Sequence, residues 1–128
     1  MAAIVLVVED DQSIRSLIAR MLRSEGHQVL EASDGATALE ILQGMRCDLV
    51  ITDFLMPKLN GIKFVEQLHT LQPRMPIIFI TGYLSAASGA TISDEVGAIL
   101  EKPFEPDVLR STVHRVIATN SPRKHPTH

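Results

Sequence analysis

The chain reads Val50-Ile51-Thr52-Asp53-Phe54-Leu55-Met56-Pro57 near its centre, where an apolar run ends in a carboxylate and a turn. The run begins at Cys47, and its continuous apolar character predicts a strand over residues 47–52 that is buried on both faces. Open α/β sheets bind their ligands at the carboxyl ends of such strands. Asp53 therefore lies where a nucleophile, a metal ligand or a simple turn cap would be expected.

Strand-like and helix-like segments alternate along the rest of the chain. Short apolar runs predict further strands over residues 4–8, 28–32, 77–80 and 98–100. Apolar residues at helical spacing follow each strand, and Gly26 and Gly44 mark helix ends. The helix over residues 85–96 is the weakest, because it is rich in serine, glycine and threonine. Five β-α units predict a doubly wound α/β domain with a parallel sheet.

The bulk composition is that of one globular domain. The chain has 128 residues, 45% of them hydrophobic, and we expect a domain over residues 1–119 followed by a polar tail over 120–128. A net charge of −3 argues against direct nucleic-acid binding, and we expect a cytoplasmic protein without membrane insertion. The single cysteine, Cys47, is expected to be small apolar filler.

Right-handed crossovers would place the carboxyl ends of all five strands at one edge of the sheet. Two carboxylates about 4 Å apart repel by roughly 4 kcal/mol at an effective dielectric constant near 20, so a cation is needed there. Mg²⁺ suits carboxylate and phosphate oxygens, whereas the five histidines are too scattered to suggest zinc. Asp53 could then attack phosphorus and form an acyl phosphate. The polar residues expected at this edge are Glu9, Asp10, Asp11, Asp53, Thr81 and Lys102.

Each of these residues also has an ordinary structural explanation. The acidic triplet could oppose the dipole of the following helix, Thr81 could be a strand-end hydroxyl, and Lys102 a solvated lysine. Taken singly, those explanations are the more common ones. The occurrence of an acidic cluster, an acid, a hydroxyl and an ammonium at the ends of four different strands favours the functional interpretation.

The combined motifs closely resemble the receiver domain of two-component response regulators. They are Val8-Glu9-Asp10-Asp11, Asp53 to Pro57 with Gly61, Thr81-Gly82 and Lys102-Pro103-Phe104. The resemblance implies a flavodoxin-like five-stranded sheet in the order 2-1-3-4-5 with five helices. It further implies that Asp53 is the phosphoacceptor, Thr81 the switch hydroxyl and Lys102 the phosphate contact. The implied Mg²⁺ site consists of Glu9, Asp10, Asp53 and the backbone carbonyl of Leu55. Asp11 would be a helix-entry residue.

The resemblance also implies partners: a histidine kinase as phosphoryl donor, and a histidine phosphotransfer protein or a target protein as recipient of the signal. It implies no separate turnover substrate, so the protein is not expected to be an enzyme in that sense. The chain departs from the family at Ile99, where receivers commonly carry an aromatic residue. That departure leaves open an alternative, a receiver-like interaction module that works without phosphorylation.

Two other classes fit less well. Haloacid-dehalogenase-like phosphatases place a second aspartate two residues after the nucleophile, where this chain has Leu55. A flavodoxin-type domain would have to bind the phosphate of FMN beside the acidic turn at Glu9 to Asp11, which would repel it.

The residues near the acceptor predict a long-lived phosphoryl group. In the family, the side chains two positions after the acceptor and two after the hydroxyl influence that lifetime; here they are Leu55 and Tyr83. Neither carries a carboxylate or amide that could orient an attacking water. We expect slow loss of the phosphoryl group in Mg²⁺ buffer. Intact mass measurements of the phosphorylated protein at successive times would monitor this loss. Complete loss within seconds would contradict this prediction.

Overall fold

The computed structural model describes residues 3–53, 61–81, 98–101 and 104–120. Within these ranges the chain forms five strands and four helices. The strands are β1 (Ile4–Val8), β2 (Gln28–Ala32), β3 (Leu49–Asp53), β4 (Ile77–Thr81) and β5 (Ala98–Glu101). The helices are α1 (Gln12–Ser24), α2 (Gly35–Gly44), α3 (Gly61–Leu71) and α4 (Pro106–Asn120).

The five described strands form one parallel sheet in the order β2-β1-β3-β4-β5. The predicted doubly wound, flavodoxin-like class and the predicted strand order are confirmed. The helix predicted over residues 85–96 lies outside the described residues. The last helix extends to Asn120, one residue into the predicted tail.

Both faces of the sheet are buried, because successive side chains along each strand point to opposite sides. On one face, Leu6 and Val8 of β1 pack in a cluster with Phe64 and Leu68 of α3. On the other face, Val5 and Val7 join a cluster with residues of α1 and α4, among them Ile18, Leu22, Leu109 and Val113. The continuous apolar strands of the sequence are thus explained by two separate cores.

Two aspartates begin helices by capping them. The side chain of Asp11 accepts a hydrogen bond from the Ile14 amide at 3.1 Å, and that of Asp34 accepts one from the Thr37 amide at 2.8 Å. Each bond satisfies an amide that the first turn of a helix leaves without a partner. Asp11 is therefore the helix-entry residue that the resemblance implied. At the other end of α1, Gly26 adopts φ +92°, a conformation that glycine enters readily.

The central strand begins two residues later than predicted, at Leu49. Asp48 just before it uses its carboxylate to accept a hydrogen bond from the Ile4 amide at 2.8 Å, which ties the start of β3 to the start of β1. Cys47 is buried, as expected of apolar filler, and burial raises the pKa of its thiol to about 11. No helix within the described ranges combines the length and apolar character that crossing a membrane requires.

His27 connects the turn after α1 to the beginning of β1. Its Nδ1 accepts a hydrogen bond from the Ala3 amide at 3.0 Å, so this nitrogen must be unprotonated. Burial is the main cause that lowers the pKa of His27 below its ordinary value, while the carboxylate of Glu25 opposes the shift. The folded state therefore favours the neutral imidazole.

This preference predicts a pH dependence of stability. The pKa of His27 is lower in the folded state than in the unfolded state. The contribution of neutral His27 to the free energy of unfolding is therefore complete at pH values above its unfolded-state pKa. It is lost as the pH falls through the folded-state pKa. Urea unfolding about one pH unit above and one below 6.5 should show a larger loss of stability for wild type than for His27→Asn. The Asn carbonyl oxygen can accept the same bond without titrating. Equal losses for the two proteins would refute the prediction.

Candidate metal and phosphoacceptor site

Three carboxylates meet at the carboxyl ends of two adjacent inner strands, β1 and β3. Glu9 and Asp10 directly follow β1, and Asp53 is the last residue of β3. In the sheet, Val8 aligns with Thr52, so the residues that follow them, Glu9 and Asp53, leave adjacent strands at the same level. One carboxylate oxygen from each of Glu9, Asp10 and Asp53 lies within 4.8 Å of the other two. The tertiary structure thus brings together residues that are more than forty positions apart.

The three residues of the cluster differ in their exposure to solvent. Glu9 is 2% exposed and Asp53 is 7% exposed, whereas Asp10 is exposed. Burial strengthens electrostatic interactions, because charges that are partly withdrawn from water are less well screened. One oxygen of Glu9 accepts a hydrogen bond from the Asp11 amide at 3.1 Å, which orients that carboxylate at the entrance to α1. A small cation could reach the cluster from the side of Asp10.

The donor set suits a hard divalent cation. All three side chains offer oxygen, and oxygens on opposite sides of one Mg²⁺ are about 4 Å apart, so carboxylates and bound water together could complete its coordination. Among the described residues, the histidines and the cysteine lie elsewhere. His27 accepts a hydrogen bond from the Ala3 amide, and His69 lies 3.1 Å from the Met75 carbonyl. His114 lies on α4, and Cys47 is buried before β3 begins. The donor chemistry therefore fits Mg²⁺ better than zinc.

The structure places the other predicted site residues less completely. Thr81 is the last residue of β4, aligned with Glu101 of β5, one step beyond the pairing of Asp53 with Ile80. Its backbone therefore lies at the predicted edge of the sheet. Leu55 and Lys102 lie outside the described residues, and their assigned roles remain predictions.

Two charged residues near this cluster were not predicted from the sequence: Arg15, which contacts Glu9, and Glu31, which contacts Arg15. Arg15 of α1 donates a hydrogen bond from Nη1 to the backbone carbonyl of Glu9 at 2.7 Å. Its Nε also contacts the carboxylate of Glu31 on β2 at 3.2 Å. The position of Arg15 one helical turn after the cap Asp11 is the signal that could have marked it.

The fold and the acidic cluster are those of a known class of signalling domain. Residues 5–114 match the family model described as the response regulator receiver domain. Because the match covers most of the chain, the protein belongs to the response regulator receiver domain family.

Relatives of very different length carry the same domain. Transcriptional regulatory protein GlrR of Escherichia coli is 31% identical over 118 residues, which cover 91% of this chain and 27% of GlrR. Sporulation initiation phosphotransferase F of Bacillus subtilis is 30% identical over 119 residues, which cover 91% of this chain and 95% of that protein. The chain thus spans about a quarter of one relative and nearly all of the other.

A solved structure agrees with the sequence comparison. The chemotaxis response regulator CheY4 of Vibrio cholerae superposes with a TM-score of 0.81 at 32% identity, covering 91% of this chain and 99% of that one. At this level of sequence identity, the likeness extends beyond the fold to the family.

Neutralising single aspartates should separate metal binding from helix capping. Asp10→Asn should weaken Mg²⁺ binding by about tenfold or more, since even groups that only orient metal ligands cost about that much when altered. Asp11→Asn removes the same charge from the adjacent position, but asparagine still caps α1 and the loss should stay within about threefold. Titration calorimetry with Mg²⁺ measures both. Equal effects would mean that net charge, not the ligand position of Asp10, governs binding.

Proposed function

We propose that this chain is a stand-alone response regulator receiver that accepts a phosphoryl group on Asp53 from a histidine kinase. The observation that carries the proposal is the clustering of Asp53 with Glu9 and Asp10 at the carboxyl edge of the sheet. Asp53 is the member of the cluster at the end of a central strand, and the rigid strand fixes its carboxylate beside the cation-binding oxygens.

The proposed transfer requires little from the protein beyond position and charge. A carboxylate oxygen of Asp53 forms a bond to phosphorus while the phosphorus–nitrogen bond of a phosphohistidine breaks, and the leaving imidazole keeps the electron pair. Glu9 and Asp10 would hold Mg²⁺ with Asp53 and the Leu55 carbonyl. When bound, the cation neutralises charge on the transferred oxygens. Thr81 would donate a hydrogen bond and Lys102 a positive charge to those oxygens.

The signal would leave the domain through protein contacts. Sporulation initiation phosphotransferase F and CheY4 match this chain over almost their whole length, which supports a role without an attached output domain. The recipient would be a histidine phosphotransfer protein or a downstream target. We further propose that the protein works in the cytoplasm without contacting nucleic acid directly, and that it has no separate turnover substrate.

One observation favours a second function, a receiver-like module whose contacts do not depend on phosphorylation. Ile99 occupies the β5 position at which receivers commonly carry an aromatic residue, and it is aligned with Phe79 of β4. Without an aromatic ring to rotate, a shift of Thr81 and the loop after it would have to carry the signal.

Intact mass measurement after incubation with acetyl phosphate and Mg²⁺ tests the proposed function. Wild type should gain one phosphoryl group, Asp53→Asn should gain none, and Asp11→Asn should gain one like wild type, because Asp11 caps α1. No adduct on the wild type, or an equal adduct on Asp53→Asn, would refute Asp53 as the acceptor. If phosphorylated and unphosphorylated protein bound their partners equally, the second function would be favoured.

A further inference from the structure

Arg15 connects the acidic cluster to the edge of the sheet. Its guanidinium donates from Nη1 to the Glu9 carbonyl at 2.7 Å and from Nε to a carboxylate oxygen of Glu31 at 3.2 Å. The Arg15 side chain is only 16% exposed, so these contacts are partly shielded from water. The guanidinium donors thus serve two acceptors at once, one in the residue that follows β1 and one on β2.

The bonded carbonyl belongs to the peptide group that joins Glu9 to Asp10. Because a peptide group is planar, fixing its oxygen also fixes the direction in which the chain continues to Asp10. The preceding peptide is held as well, since the Glu9 amide donates to the Ala32 carbonyl at 3.0 Å. The backbone that carries two of the three clustered carboxylates is therefore restrained on both sides of Glu9.

Glu31 is itself held in place. Its second carboxylate oxygen lies 3.3 Å from Nη2 of Arg23, and the same nitrogen donates to the Val29 carbonyl at 3.1 Å. Arg23 thus contacts Glu31 and the backbone of β2, whereas Arg15 contacts Glu31 and the backbone of the acidic cluster. The two arginines lie on the same helix and share one partner, so they form a matched pair for comparison.

We propose that Arg15, oriented by Glu31, is a positioning residue that fixes the Glu9–Asp10 backbone for binding of a divalent cation. This inference rests on the proposed function, because it assumes that the acidic cluster binds Mg²⁺. It adds a residue of α1 and a residue of β2 to a site whose carboxylates all follow or end β1 and β3.

The direction in which Mg²⁺ affinity changes when Arg15 is replaced distinguishes a positioning role from a purely electrostatic one. Arg15 places a positive charge near the carboxylates, so a purely electrostatic role predicts that its removal strengthens cation binding. A positioning role predicts the opposite, because a loosened peptide must be ordered again when the cation binds. Groups that orient metal ligands typically contribute about tenfold to hundredfold in affinity.

The experiment is Mg²⁺ titration calorimetry on the full chain and its variants. Arg15→Gln should bind Mg²⁺ about tenfold or more weakly than wild type, and Arg15→Lys, which keeps the charge but loses the fork, should also bind more weakly. Arg23→Gln should weaken Mg²⁺ binding less than Arg15→Gln does, because Arg23 contacts Glu31 and the backbone of β2 but makes no hydrogen bond to Glu9. Thermal melting without Mg²⁺ shows whether the variants are folded at the titration temperature.

Glu31→Gln tests the other half of the proposal. If Glu31 acts through Arg15, the double variant of Arg15→Gln and Glu31→Gln should bind Mg²⁺ no more weakly than Arg15→Gln alone. Additive losses would overturn the assignment of Glu31. Unchanged or tighter binding by Arg15→Gln, or an equal loss in Arg23→Gln, would overturn the assignment of Arg15. Absence of Mg²⁺ binding by wild type would instead refute the metal site, and the inference with it.

Discussion

Electrostatic repulsion among the carboxylates of Glu9, Asp10 and Asp53 is the main constraint on the structure at this edge of the sheet. Glu9 and Asp53 are almost completely buried, where water screens their charges poorly, and one carboxylate oxygen from each of the three residues lies within 4.8 Å of the other two. The described structure offsets part of this repulsion with the Asp11 amide, which donates to Glu9, and with the nearby guanidinium of Arg15. A bound cation would offset much of the remaining repulsion among the three carboxylates.

The two apolar cores keep these charges together despite their repulsion. β1 and β3 are central strands with both faces buried, so a shift of one residue in their pairing would exchange the side chains between the two cores. The register that aligns Val8 with Thr52 is therefore fixed by packing, and Glu9 and Asp53 are held side by side as a consequence. The stability of the core is in this sense the source of the geometry of the site.

Comparison with the family shows which features this chain shares with its relatives and where its sequence differs from them. The same domain occurs in relatives of which it forms about a quarter and in others of which it forms nearly the whole. At Ile99 on β5 this chain departs from the aromatic residue that the resemblance led us to expect.

The sequence alone was sufficient for the class of fold, the order of the described elements, and the meeting of Glu9, Asp10 and Asp53. Each follows from local periodicity or from the rule that parallel strands end at one edge. Leu17 of α1 and Leu71 of α3 are apolar residues of predicted helices, yet they are 49% and 41% exposed. Periodicity gives the direction of a helix face and not how much of it neighbouring elements cover. The contacts of Arg15 with Glu9 and Glu31 could be found only in the tertiary structure. They depend on the distance and angle at which α1 packs beside β1 and β2, which no pattern within a single element records.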